Sequence, residues 1–176
     1  MTETLDLFAT WLRGTSISEA IRVTPWLWPV CEILHFFGMA LLIGSVGLVD
    51  LRMLGVAKGV PIKALERFIP LGVIGFFVNA ITGFIFVAGN PVGGPQEYLG
   101  NLAFQIKLVL IVIAGLNLLA FYVTGIARKA DAVTPDGVAP TSAKVVAALS
   151  LVLWFGVIFF GRFIMYNDTL LYALGL

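Results

Sequence analysis

The chain has 176 residues, of which 60% are hydrophobic and 12% are charged, and its formal net charge is +1. With a mean hydropathy of +1.01, it has too few polar residues to cover the surface of a soluble domain, so we expect an integral membrane protein. The nearly neutral charge excludes the basic surface on which nucleic-acid binding depends, and the single cysteine excludes an internal disulfide.

The first predicted element is an amphipathic helix over about residues 4–22. This segment is too polar to span a bilayer, yet helical spacing joins its apolar residues Leu5, Phe8, Trp11 and Leu12. We therefore expect a helix in the membrane interface with these side chains toward lipid. The acidic stretch MTETLDLF has no cationic region ahead of an apolar one, so no cleavable signal peptide is expected.

Four further stretches are long and apolar enough to cross the hydrocarbon core as helices, which takes about 20 residues each. They cover about residues 28–49, 68–88, 102–124 and 145–166. The sequence therefore predicts one all-α domain over residues 1–176. Its architecture is an integral membrane four-helix bundle preceded by the interfacial helix.

The connectors between the predicted spans differ in basic charge. The second connector and the C-terminal tail have no lysine or arginine, whereas the first and third connectors have Arg52, Lys58, Lys63, Arg67, Arg128, Lys129 and Lys144. Because basic loops of membrane proteins face the cytoplasm, both termini are predicted to lie outside. The expected location is the inner (cytoplasmic) membrane of a bacterium.

The ionisable and polar residues of the spans lie mostly toward the predicted outer side. His35, Lys107 and Arg162 come from three different helices, and Glu32 and Asn79 lie at a similar or slightly greater depth. Ionisable side chains are costly inside a bilayer and usually face the bundle interior, so this layer is the predicted binding site. The alternative is a rim of snorkelling charges, in which Glu32 pairs with Lys107 or Arg162.

A b-type heme is the cofactor that this layer favours. It needs a neutral imidazole on iron, an apolar slot and cations for its propionates, and His35 lies deeper than Lys107 and Arg162, as this arrangement requires. Gly38, one turn after His35, either admits a flat ligand or marks close helix packing. The iron would be five-coordinate, take Met39 as its second ligand, or be shared between chains of a homo-oligomer.

Two other functions stay open. Cys31, His35 and Met39 are soft or borderline donors that suit Cu(I), although one helix spreads them over about 12 Å. The chain would alternatively be a structural or quinone-contacting subunit of a larger respiratory complex, with His35 hydrogen-bonded to a quinone carbonyl. The sequence shows neither a nucleophile beside a general base nor a glycine-rich loop between a strand and a helix. Whether the protein is an enzyme therefore stays open. The expected partner is the lipid bilayer, and no nucleic-acid partner is expected.

Three stretches carry a family resemblance: LHFFGMALLIGSVGLVDLRMLG, FQIKLVLIVI and GRFIMY. They resemble a group of small bacterial four-helix inner-membrane proteins. The pattern is also similar, more distantly, to the copper-resistance D membrane domain and to the heme-binding HemJ-type protoporphyrinogen oxidases. The last resemblance implies that His35 is the iron ligand and Lys107 the second functional side chain. This chain departs from that pattern in having no further histidine and in carrying Arg162 near the end of the last span.

Overall fold

The computed structural model describes residues 3–56 and 58–175 of the chain, so Met1 and Thr2 of the acidic N-terminal stretch lie outside the described residues. Every regular element in these two ranges is a helix. The helices are α1 (Glu3–Arg13), α2 (Ser16–Val23), α3 (Leu27–Leu54), α4 (Ile62–Leu65), α5 (Ile69–Gly89), α6 (Pro95–Leu99), α7 (Leu102–Val123), α8 (Ile126–Asp131), α9 (Thr141–Phe163) and α10 (Asn167–Leu174).

The long helices α3, α5, α7 and α9 are apolar enough to cross a membrane, which confirms the all-α bundle and its four predicted spans. A 3-10 turn joins α4 to α5, and a second one joins α9 to α10. Helix α3 does not end near Val49 as predicted. It continues to Leu54, where Gly55 in the left-handed conformation (φ 95°) ends it. Asp50 and Arg52 therefore belong to the helix.

The N-terminal segment forms two helices instead of the one predicted over residues 4–22. The break falls at Gly14 and Thr15, and the Thr15 side chain caps α2 by accepting a hydrogen bond from the Ser18 amide. This turn brings α1 against α6 and α2 against α5. The segment therefore packs on the bundle as a helical hairpin.

The hairpin also changes which of its apolar residues are buried. Leu12 is buried in a cluster with residues of α2 and α5, so the prediction that it faces lipid is wrong. Phe8 and Trp11 are exposed, as a lipid-facing side would require. The Ser18 hydroxyl donates to the Ala88 carbonyl at 2.6 Å and joins the hairpin to the end of α5. Its placement in the membrane interface stays a prediction.

The four long helices pack through three seams. Helix α3 packs along α5 on one side and along α9 on the other, and α9 packs along α7. Helices α5 and α7 share few contacts, so the fourth seam is open. We call the end of the bundle at which α3 begins the His35 end, and the opposite end the Asp50 end.

At the Asp50 end, a fully buried arginine, Arg52, joins two connectors. Its Nε donates to the Val60 carbonyl at 2.6 Å, and its Nη2 donates to the carbonyls of Pro135 at 2.6 Å and Thr134 at 3.3 Å. The Gly59 amide also donates to the Pro135 carbonyl, at 2.9 Å. Sequence reasoning identified Arg52 only as a basic connector charge, whereas in the structure it holds the connectors together.

Candidate functional site

His35 extends from α3 onto α5 and meets Thr82. Its Nδ1 lies 2.7 Å from Thr82 Oγ1. The Thr82 hydroxyl donates its own hydrogen to the Val78 carbonyl, at 2.7 Å, so Thr82 Oγ1 accepts the bond from His35 Nδ1–H. In the neutral ring, Nε2 then carries the free lone pair.

Other residues of α5 hold the His35 ring in place. Phe86 packs edge-on against it with ring centres 5.4 Å apart, and Trp28 packs on Phe86 at 5.0 Å. On α5, a Cβ added at Gly83 would lie 3.9 Å from His35 Cε1. The imidazole is half-buried and oriented by its hydrogen bond and by these aromatic contacts.

The structure brings Lys107 toward His35 and leaves Arg162 at the surface. Lys107 lies on α7 against Gly161 of α9, with its Nζ 3.5 Å from the position that a Cβ on Gly161 would occupy. Its ammonium is close enough to His35 for its charge to act on the imidazole. Arg162 is exposed, and its guanidinium carbon lies 5.5 Å from the centre of the Tyr166 ring.

Glu32 does not make the ion pair with Lys107 or Arg162 that the snorkelling-rim alternative allowed. It is exposed and accepts a hydrogen bond from Trp28 Nε1 at 3.1 Å. In the part of the chain that the structure describes, no hydrogen bond joins Glu32 to Lys107 or Arg162. Burial raises the pKa of the Tyr98 phenol, and the nearby negative charge of Glu32 raises it further. Glu32 therefore interacts with α6 and its own helix.

Gly38 and Asn79 lie at the contact between α3 and α5. The Asn79 side chain donates to the Gly75 carbonyl at 2.9 Å, and its Nδ2 lies 2.5 Å from the position of a Cβ added at Gly38. Of the two alternatives for Gly38, the structure therefore supports close helix packing. The predicted space for a flat ligand beside Gly38 is absent between α3 and α5, because the Asn79 amide and the Gly75 backbone fill it.

The donors of the copper alternative are spread along α3. Cys31 is buried, Met39 is half-buried, and His35 lies between them. Across residues 3–56 and 58–175, no three side chains of His, Cys, Asp or Glu form a group that could hold a metal ion. The copper alternative, whose donors include Met39, stays a prediction.

A second site, which sequence reasoning missed, occupies the open seam at the Asp50 end. A cavity of about 220 Å³ lies between α5 and α7, with α3 and α9 also lining it. Asp50 is only 4% exposed, lines this cavity and lies beside the Ser150 hydroxyl. Among the described residues, its Oδ2 has no hydrogen-bond partner. We call this cavity the Asp50 cleft.

The sequence contained a signal for the Asp50 cleft. An apolar stripe at helical spacing continues past Asp50, and its members line the cleft: Leu42, Val46, Val49 and Met53. A span continued to Met53 would have placed a carboxylate inside the bundle, where ionisable residues mark sites.

Comparisons of the chain with protein-family models, with curated proteins and with solved structures give no match. The functional argument therefore depends on the geometry of His35 and its neighbours. The resemblance to the heme-binding HemJ-type proteins stays a prediction.

Proposed function

We propose that this membrane protein binds a b-type heme through His35 and serves electron transfer or heme-linked redox chemistry. The observation that carries the proposal is the 2.7 Å contact between His35 Nδ1 and Thr82 Oγ1; with the Thr82 hydroxyl donating to Val78, this contact assigns the ring hydrogen to Nδ1 and leaves Nε2 free to ligate iron. Histidines that bind metals are typically oriented by such a bond from their other ring nitrogen.

The surroundings of His35 limit where a planar group would lie. Gly38 and Gly75 bring α3 and α5 into contact one turn from His35 toward the Asp50 end. This contact leaves no space for a planar group between the two helices there. The side toward α7 is the open seam, and Lys107 is the cation on that helix. Lys107 would pair with one propionate, and Arg162 at the surface would pair with the other.

When bound, heme iron supplies one-electron chemistry. The residues of the chain would do the rest: His35 holds the iron, Thr82 keeps the imidazole in its orientation, and Lys107 offsets the propionate charge. Met39 lies on the same face of α3 as His35, about 6 Å away, so the proposal assigns the iron to His35 and not to Met39. We therefore propose five-coordinate iron or a second ligand from another chain.

An absorption spectrum of protein purified from heme-replete cells tests the proposal. We expect a Soret band, with α and β bands that sharpen on reduction with dithionite. A colourless protein that also takes up no added hemin would overturn the proposal.

The free Nε2 also favours a second candidate function, contact with a quinol in a respiratory complex. Because Nδ1–H is engaged by Thr82, neutral His35 has no ring N–H left for a quinone carbonyl. It instead accepts a hydrogen bond from a hydroquinone hydroxyl. A colourless protein that copurifies with quinone, and whose His35→Ala variant does not, would support this candidate over heme.

A further inference from the structure

The Asp50 cleft contains a carboxylate whose second oxygen lacks a partner. Asp50 Oδ2 is buried and without a hydrogen bond among the described residues, and the Ser150 hydroxyl beside Asp50 does not satisfy it. In a membrane-embedded apolar cavity a carboxyl group stays ionised only where a donor or a cation meets its free oxygen. An occupant of the cleft would meet this requirement.

The nearest arginine in sequence does not supply that cation. Arg52 lies two residues after Asp50, which places it about 200° around the helix. Its Nε and Nη2 donate to backbone carbonyls of the two connectors. The positive charge of Arg52 is therefore directed to the connectors and away from the cleft.

A second carboxyl group lines the cleft and favours positive charge there. Glu66 lines the cleft, and its Oε1 is buried without a hydrogen-bond partner among the residues described. Asp131 lies against Glu66, and Lys63 is the cation close to this pair. Two carboxyl groups, those of Asp50 and Glu66, therefore line the cleft, and its described lining includes no lysine or arginine.

The other residues that line the Asp50 cleft favour a ligand with an apolar body and a flat ring. Aromatic side chains line the cleft, namely Phe76, Phe121, Tyr122 and Trp154. Their faces attract cations as well as apolar groups. A cavity of about 150 Å³ holds benzene, so the volume of about 220 Å³ accommodates a ring of that size with a short chain.

From this geometry we infer that the Asp50 cleft binds a lipophilic amine, with its ammonium at Asp50 and its apolar body between α5 and α7. The site is separate from His35 and does not depend on heme. The ligand class follows from the unpartnered carboxyl oxygen of Asp50, the second lining carboxyl group of Glu66 and the aromatic walls.

The full chain in detergent can be tested with two probes of the same shape, 4-phenylbutylamine and the neutral 4-phenylbutanol. Trp154 lines the cleft, so a change in its fluorescence reports binding. The Trp154→Phe variant gives the background signal of Trp11, Trp26 and Trp28, which is subtracted. We expect saturable binding of the amine at concentrations about tenfold lower than for the alcohol, because a hydrogen bond to a charged group is worth that factor.

Two variants locate the binding. Asp50→Asn should remove the preference for the amine, whereas Asp136→Asn, the same change at an exposed residue, should preserve it. Gly115 lines the cleft and has open space around it, so Gly115→Leu should weaken the binding of both probes. Gly44 also has open space but does not line the cleft, so Gly44→Leu is the matched control.

Equal binding of amine and alcohol to the wild-type protein would overturn the inference. So would an amine preference that survives Asp50→Asn. If Asp50→Asn does not fold, Gly115→Leu decides: unchanged amine binding in that variant places the ligand elsewhere and also refutes the proposal.

Discussion

At the scale of single residues, variants of His35 and of its hydrogen-bond partner Thr82 distinguish iron ligation from helix packing. His35→Ala should abolish the Soret band of heme-loaded protein and leave the bundle folded, because the ligand is lost while the helix contacts remain.

Thr82→Val keeps the shape of the side chain and removes the acceptor of Nδ1–H. We expect it to keep a Soret band and to shift the reduction potential or lower the heme occupancy.

The other residues of the layer give controls for this prediction. Lys107→Ala and Arg162→Ala should change heme occupancy or reduction potential without loss of iron coordination. Cys31→Ser should have no spectral effect, whereas in a copper protein Cys31→Ser and Met39→Leu would be the damaging changes. A Soret band that survives His35→Ala would rule out His35 as the iron ligand.

Arg52 is the residue whose structural role is most easily measured. Arg52→Met keeps the length of the side chain but leaves the Val60 carbonyl without its donor and the Pro135 carbonyl with only the Gly59 amide. We expect the free energy of unfolding in detergent to fall by roughly 2 kcal/mol, since the hydrogen bonds from a buried charged group that join the connectors are lost. Arg67→Met, at an exposed position, should change stability much less. Equal thermal stability of the two variants would contradict this role.

At the scale of helices, the glycines of α3 and α5 predict where substitution is tolerated. A Cβ on Gly75 would lie 2.5 Å from the Gly38 carbonyl oxygen, so Gly75→Ala forces the two helices apart. We expect a loss of roughly 1–3 kcal/mol in the free energy of unfolding, as in other overpacked contacts. Gly44→Ala, where nothing lies within 4 Å, should be neutral or slightly stabilising. Similar thermal denaturation of both variants would disprove the close contact.

The helices also show how far sequence patterns lead. The four spans were predictable because a bilayer demands about 20 apolar residues in a row. The end of α3 was not, because the predicted span ends at residue 49 although the apolar stripe continues beyond it to Met53. The N-terminal hairpin was missed because its periodicity continues through the turn at Gly14, and only packing on α5 and α6 shows that Leu12 is buried.

The candidate site was predictable only in part, for a similar reason. Depth along a helix follows from residue number, so His35 and Lys107 could be placed in one layer. Rotation about the helix axis depends on neighbours, so the exposure of Arg162 and the contact between Gly38 and Asn79 could not be read from spacing. Thr82 could be identified as the partner of His35 only from the structure, because the pairing depends on the register of α3 against α5.

At the scale of the whole molecule, the basic connectors predict the orientation in the membrane. In a Cys31→Ser background, Val138→Cys should react with a membrane-impermeant maleimide only from the cytoplasmic side, and Val92→Cys only from the outside. Both positions are exposed, at 64% and 73%, so reactivity reports sidedness. The reverse labelling pattern in intact cells and inverted vesicles would overturn the orientation.

The seam between α5 and α7 has a consequence for how a solute would reach the protein. Because few contacts close this seam, the Asp50 cleft opens sideways, toward the acyl chains that surround a membrane bundle. A solute arriving by this path has already left water. Its occupancy would follow its mole fraction in the bilayer, and doubling the amount of lipid at constant total solute would lower the bound fraction even though nothing in the protein had changed.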